Sequence, residues 1–250
     1  MQLLKDQVAI VTGAASGIGR SIAELYAANG ARVVVSDIDK EGGNQTVEAI
    51  RQKEGAAIFV EADVSRAEHC QHLMEKTVAE YGKLTIACNN AGIGGEQAPV
   101  GEYPIEAWDQ AIAINLSGVF YGMRYQIPQM LEAGGGAIVN ITSILGKVGF
   151  EGASAYVSAK HGIVGLTKTA ALEYAQAGIR VNAVGPGFID TPLLTDNLTE
   201  EQLEQVVALH PIGRLGTAEE VAELVVWLSS PKASFVTGSY HAVDGGYLTR

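Results

Sequence analysis

Short apolar, β-branched runs recur along the chain, separated by longer stretches whose apolar positions fall three and four apart. The runs are VAIVT (8–12), RVVVSD (32–37), AIFVEAD (57–63), LTIACNN (84–90), AIVNIT (137–142), IRVNAV (179–184) and YHAV (240–243). Between the first two, GIGRSIAELYAANG sets Ile18, Ile22, Leu25 and Tyr26 on one helical face, and Gly30 marks the helix end. Strands that are apolar throughout, each followed by a helix, predict a parallel sheet covered on both faces. The expected fold is α/β: a doubly wound parallel sheet of about seven strands flanked by helices, a single domain over residues 1–250. Ligands of such a fold bind outside the carboxyl ends of the strands.

Two helical stretches depart from the usual one-sided pattern. In 105–131, Trp108, Ile112, Ile114, Leu116, Val119, Phe120, Met123, Ile127, Met130 and Leu131 spread around much of the circumference, and 153–175 is similarly apolar. A helix without a broad polar face is buried on more than one side. A second subunit is the expected cover, in a homotetramer built through the 105–131 and 153–175 helices.

With 250 residues, 47% apolar, the chain can bury a full core, and no linker or repeat divides it. The net charge of −11, with 17 scattered basic residues, argues against nucleic acid or an anionic membrane as partner. The start, MQLLKDQVAIVTGAAS, lacks the pattern of a secretory signal, and no run is long enough to span a bilayer. Cys70 and Cys88 are expected as reduced thiols of a cytoplasmic protein. The five histidines show no metal-ligand spacing; His69 and His72 read as surface residues, and no metal is expected.

TGAASGIG (12–19) follows the first strand and opens the first helix. Gly13, Gly17 and Gly19 there allow a tight turn, close approach of backbone to a ligand, and helix packing on the strand. The helix start then offers unpaired N–H groups to a pyrophosphate. The spacing is not G-x-G-x-x-G, so on the motif alone a plain glycine-rich turn stays open. Asp37 ends the second strand, 18 residues beyond Gly19, where a carboxylate can hydrogen-bond both hydroxyls of an adenosine ribose. The same carboxylate repels a 2′-phosphate, by about 1 kcal/mol in water and about 4 kcal/mol at an effective dielectric near 20. NAD is therefore expected over NADP. Asp63 and Val64, and the NNAG cluster of 89–92, fall at the ends of the third and fourth strands.

In SAYVSAKHG (154–162), Tyr156 and Lys160 stand four apart, on the same helical face. A nearby ammonium favours the phenolate and lowers the tyrosine pKa, which makes the tyrosine a usable proton carrier. Ser143 ends the fifth strand, on the same rim. By themselves a Tyr-x-x-x-Lys pair and a serine are a weak signal.

Taken together, TGAASGIG, Asp63, NNAG, Asn115 in AINLSGVF, Ser143, YVSAK and NAVGPGFIDTP resemble the short-chain dehydrogenase/reductase family over about residues 5–246, with its Rossmann-type fold. The resemblance implies Tyr156 as catalytic acid/base and Lys160 as the residue that binds the nicotinamide ribose and lowers the tyrosine pKa. It implies Ser143 as the residue orienting the substrate oxygen, and Asn115 as holder of a water that links Lys160 to solvent. Gly13, Ser16, Gly17, Ile18, Gly19, Asp37, Asp63, Val64, Asn90, Ala91 and Gly92 match the cofactor-binding segments. Pro186, Gly187, Ile189 and Thr191 match the segment covering the nicotinamide. The implied reaction is reversible hydride transfer between NAD and a secondary alcohol or ketone.

The substrate pocket is expected to draw on Ile93, Gly94, Ser143, Leu145, Phe150, Tyr156, Gly187, Phe188, Leu193 and Leu194, with a lid at about 190–213 and a helix opening at Thr199. That set favours a medium-sized, largely apolar alcohol or ketone. A 3-oxoacyl-thioester reductase is the alternative within the family, disfavoured by Asp37 and the acidic charge. A nucleotide-binding sensor without activity is the alternative from another class, opposed by the complete set Asn115, Ser143, Tyr156 and Lys160.

Overall fold

The computed structural model describes residues 2–195 and 199–249, with the side chains of residues 193, 195 and 200 outside that description. Seven parallel strands form one sheet in the order β3-β2-β1-β4-β5-β6-β7. They are β1 Val8–Thr12, β2 Arg32–Asp37, β3 Ala56–Glu61, β4 Ile86–Asn89, β5 Gly136–Ile141, β6 Ile179–Pro186 and β7 Tyr240–Val243. The order reverses between β1 and β4, and a crevice opens beyond the strand ends at such a reversal.

Alternation along the strands feeds two cores. Ala9 and Val11 of β1 pack with α1 (Gly17–Ala28), α2 (Lys40–Gln52) and α9 (Ala218–Ser229) on one face. Ile10, on the opposite side of the same strand, packs with α3 (Ala67–Tyr81), α5 (Gly118–Glu132) and α6 (Ser154–Tyr174). Both faces are covered, as continuous apolar strands require. Gly30, at φ 93, ends α1 in the left-handed region.

Two expected elements end differently. The third strand stops at Glu61, because the Asp63 carboxylate turns back to accept the backbone N–H and the hydroxyl of Ser65 at 2.9 and 2.7 Å. The 105–131 helix is divided: α4 (Ile105–Ile112) passes through a widened π turn, Ala113–Ser117, before α5 begins. Asn115 sits in that turn, fully buried, with its side chain bonded to the backbone of residue 93. Beyond β6 follow α7 (Pro192–Thr195) and α8 (Glu200–Ala208). Thr199 caps α8 as expected, exchanging bonds with Gln202.

α1 and α9 are tied by a buried bond between Tyr26 and Ser229 at 2.7 Å. The Ser229 hydroxyl donates to Val225 O, so the tyrosine is the donor to serine. Tyr26→Phe is expected to lower stability by about 1 kcal/mol, and Tyr26→Ala by about 3–5 kcal/mol. Urea midpoints of the three proteins check both values.

Candidate active site

The glycine loop between β1 and α1 is built at van der Waals limits. A β-carbon on Gly13, itself at φ 65, would lie 2.7 Å from Ala91 Cα, and one on Gly19 would lie 2.1 Å from Gly13 O. Asn90 locks this loop to the end of β4: its Nδ2 donates to Thr12 O and Gly13 O at 2.9 and 3.0 Å. Thr12 Oγ1 accepts the N–H groups of Asn90 and Ala91 at 3.1 and 3.2 Å. Ser16 precedes α1 without capping it, and no carboxylate stands in the first turn, whereas α2, α3 and α4 each carry one and α9 carries two. The first-turn N–H groups of α1 are thus available to an anion.

A cleft of about 470 Å³ runs from this loop along the strand ends. Gly13, Ser16, Gly17, Ile18, Gly19, Asp37, Asp63, Val64, Asn90, Ala91 and Gly92 all line it. Asp37 reaches into the cleft while its two carboxylate oxygens accept the N–H groups of Ala15 and Asp39 at 2.9 and 3.0 Å. The Ser65 hydroxyl and the backbone around it hold the Asp63 carboxyl below its ordinary value. A dinucleotide fits the chemistry of these groups: N–H donors at one end, a carboxylate at the other, and a floor that a β-carbon would fill.

The cleft continues into a cavity of about 260 Å³, where Ser143, Tyr156 and Lys160 meet. Ser143 stands two residues past β5; its Oγ accepts the N–H of Leu145 at 3.1 Å and hydrogen-bonds Tyr156. The first two turns of α6 present Tyr156 and Lys160. Lys160 is 4% exposed, and its Nζ donates to Ile141 O at 3.1 Å while lying 5.3 Å from the centroid of the Tyr156 ring.

Burial dominates the electrostatics of both groups in the nucleotide-free protein. Burial pushes Tyr156 up, and the Ser143 hydrogen bond draws it partly back. Burial also lowers Lys160 to about 8.

Asn115 does not line the cavity. Its Oδ1 accepts the N–H of Ile93 and its Nδ2 donates to Ile93 O, both at 2.9 Å, so it clamps the strand-end loop. A β-carbon on Gly92 would lie 2.6 Å from Asn115 Oδ1 and 3.7 Å from Lys160 Nζ, so the two polar groups flank the same glycine.

Of the expected pocket residues, Gly94, Ser143, Leu145, Phe150, Tyr156, Gly187, Phe188 and Leu194 line the cavity. Ile93 does not; clamped by Asn115, it lines the nucleotide cleft. The Leu193 side chain lies outside the described residues, as do residues 196–198 of the expected lid. Pro186, Gly187, Ile189 and Thr191 border the cavity, and Thr191 also borders the cleft. His72 is exposed, as expected, and His69 is half-buried, its Nδ1 accepting the N–H of Asp63 at 3.2 Å.

A family model described as enoyl-(acyl carrier protein) reductase matches residues 13–248. A cyclohexanol dehydrogenase of Acinetobacter sp. (strain SE19) is 49% identical over 245 residues, 98% of this chain and 96% of that protein. The chain belongs to the short-chain dehydrogenase/reductase family. Within that family it is also 46% identical over 242 residues to a cis-4-hydroxycyclohexanecarboxylate dehydrogenase of Sinomonas cyclohexanicum, covering 97% of this chain and 96% of the relative. The crystal structure of levodione reductase superposes with a TM-score of 0.94 at 34% identity, covering 97% of this chain and 98% of the other.

Two side chains of this short-chain dehydrogenase/reductase escaped the sequence reading. Tyr240, from β7, donates its hydroxyl to Ser143 O at 3.0 Å. Gly185 makes room for it, since a β-carbon there would lie 2.0 Å from that hydroxyl. A lone aromatic opening the edge strand, with a glycine late in the neighbouring strand, was the available signal. His210, dismissed with the other histidines, is buried behind Phe188.

The Lys160 value predicts a pH-dependent stability. Its folded value, about 8, lies below the ordinary 10.5. The unfolded chain therefore binds the additional proton between those values, and stability rises with pH through that window. Lys160→Met is expected to stabilise the nucleotide-free protein at pH 7 by about 2 kcal/mol, a gain that fades toward pH 10.5. Urea denaturation at pH 7 and pH 9.5 measures it; a Met variant less stable at pH 7 contradicts it.

Proposed function

We propose that the protein is an NAD(H)-dependent dehydrogenase that interconverts a medium-sized, largely apolar cyclic secondary alcohol and its ketone. One observation carries the reading: Ser143, Tyr156 and Lys160 converge on a cavity whose walls include Ile144, Leu145, Phe150, Phe188, Ile189 and Leu194, with Asn90, Gln97, Thr142 and Thr191 as its other polar side chains. The ring substrates named for the two dehydrogenase relatives fit such a cavity and support the choice of a cyclic alcohol over an open-chain one. The same apolar walls and Asp37 weigh against a 3-oxoacyl thioester.

When bound, a nicotinamide nucleotide supplies the hydride acceptor or donor. The loop of Gly13–Gly19 holds its pyrophosphate, Asp37 its adenosine ribose, and Lys160 its second ribose. Ser143 donates a hydrogen bond to the substrate oxygen, and Tyr156 exchanges a proton with that oxygen. As a buried phenol, Tyr156 stands ready to protonate a ketone. Alcohol oxidation needs its phenolate and so gains as pH rises. Holding the reacting groups at near-attack distance contributes about 7–11 kcal/mol.

NAD is preferred because a 2′-phosphate would meet the Asp37 carboxylate. The enzyme works as a cytoplasmic homotetramer. Support for the compartment comes from the net charge of −11, two buried unpaired thiols, and the lack, among the described residues, of a helix long and apolar enough to cross a membrane. Support for the assembly comes from apolar side chains left bare on the 105–131 and 153–175 helices: Ile105 at 72%, Phe120 at 49% and Leu172 at 85% exposed.

The test follows NADH formation at 340 nm with cyclohexanol. Tyr156→Phe is expected to lower kcat by about 10²–10⁴-fold with little change in NADH affinity. Asp37→Asn is expected to raise kcat/KM with NADP relative to NAD by at least about 5-fold. Unchanged turnover in the Phe variant overturns the mechanism, and an unchanged cofactor ratio overturns the role of Asp37.

A further inference from the structure

Phe188 lines the substrate cavity, and its position is not fixed by the sheet. The neighbouring Gly187 N–H pairs with Val243 O at 2.9 Å, but the Phe188 N–H donates to a side chain, His210 Nε2, at 3.2 Å. His210 Nδ1 faces Val206 O at 2.8 Å, near the end of α8. A carbonyl only accepts, so Nδ1 carries the proton and Nε2 keeps the lone pair that Phe188 requires. Both ring nitrogens are thus occupied. It borders a separate cavity of about 90 Å³ behind Phe188 and takes no place in the substrate cavity.

Rings complete the support. Phe188 packs edge-on against His210, with centroids 5.6 Å apart and planes at 85°, and against Tyr247 and Phe150 at 6.0 and 6.4 Å. Gly187 lies flush against the same histidine: a β-carbon there would be 2.9 Å from Nε2. The Phe188 carbonyl is also held, accepting the Gly216 N–H at 3.0 Å. A wall fixed at both its peptide and its ring cannot adapt to substrate shape.

We propose that His210 is a positioning residue that sets substrate selectivity. By accepting the Phe188 N–H it holds an aromatic wall in one orientation, which favours a ring alcohol of fixed shape over an open-chain alcohol of equal carbon number. This rests on the reading of the protein as a secondary-alcohol dehydrogenase. His210 touches neither substrate nor the reacting atoms; it acts through Phe188.

The experiment measures kcat and KM with NAD for cyclohexanol and 2-hexanol, in the wild type, His210→Phe and His210→Gln, with NADH affinity by fluorescence. His210→Phe keeps a ring and loses the acceptor. Its KM for cyclohexanol is expected to rise about 10-fold, the scale of a modest pocket mismatch. Its kcat, its NADH affinity and its KM for 2-hexanol should stay within about twofold, so that the preference for the ring falls about 10-fold. His210→Gln, whose Oε1 can accept the Phe188 N–H, should restore the ring preference. If the Phe variant does not fold, Phe188→Leu, which leaves His210 in place, should lose the preference by a similar factor. The inference is overturned if the wild type turns over alcohols and His210→Phe keeps its ring preference, if the Gln and Phe variants behave alike, or if both substrates and kcat decline together. A wild type inactive on both alcohols overturns the dehydrogenase reading itself, and this inference with it.

Discussion

A parallel sheet covered on both faces leaves its strand ends as the place where backbone and side-chain polar groups stay open to a ligand, and this constraint organises the molecule. Thr12, Asn90 and Ser143 all stand at or just past the carboxyl ends of β1, β4 and β5. The chain then has to satisfy the backbone groups that the strands leave behind. Asn90 does so for the β1 loop, Asn115 for residue 93, and Tyr240 for the Ser143 carbonyl. Each of these bonds also fixes the shape of a wall that faces the cleft or the cavity. The site is rigid because the sheet's own ends need partners.

The burial of Lys160 follows from the same geometry. Its amine is carried into the space beside Ile141 O and Gly92, where water is scarce and the charged form is disfavoured. Folding tolerates this cost at one position and gains from it a cation within reach of the tyrosine. In the protein alone the neighbouring phenol responds to burial more than to the lysine. The helix brings both residues to one face and sets the amine over the tyrosine ring.

Local signals were legible, and distant ones were not. VAIVT followed by TGAASGIG reads as strand, loop and helix because every partner lies within a few residues. Tyr156 and Lys160 read as a pair for the same reason. At Asn115 the poor helix propensity of asparagine signals a bend, but not the π turn's partner, the peptide of residue 93, 22 positions away. Tyr240 and Ser143 are separated by 97 positions, and nothing local to either names the other. Ile93 was assigned to the substrate pocket by its place after NNAG; the Asn115 clamp turns it to the nucleotide cleft instead.

On the proposed function, hydride moves directly between a secondary carbinol carbon and a nicotinamide. The most direct test uses cyclohexanol bearing deuterium at the carbinol carbon, NAD and the wild-type protein, with the product nucleotide examined by NMR. One deuterium per NADH at C4 of the ring, on one face only, is the predicted result. NADH that forms without deuterium, or a nucleotide that stays oxidised while the alcohol is consumed, would contradict it.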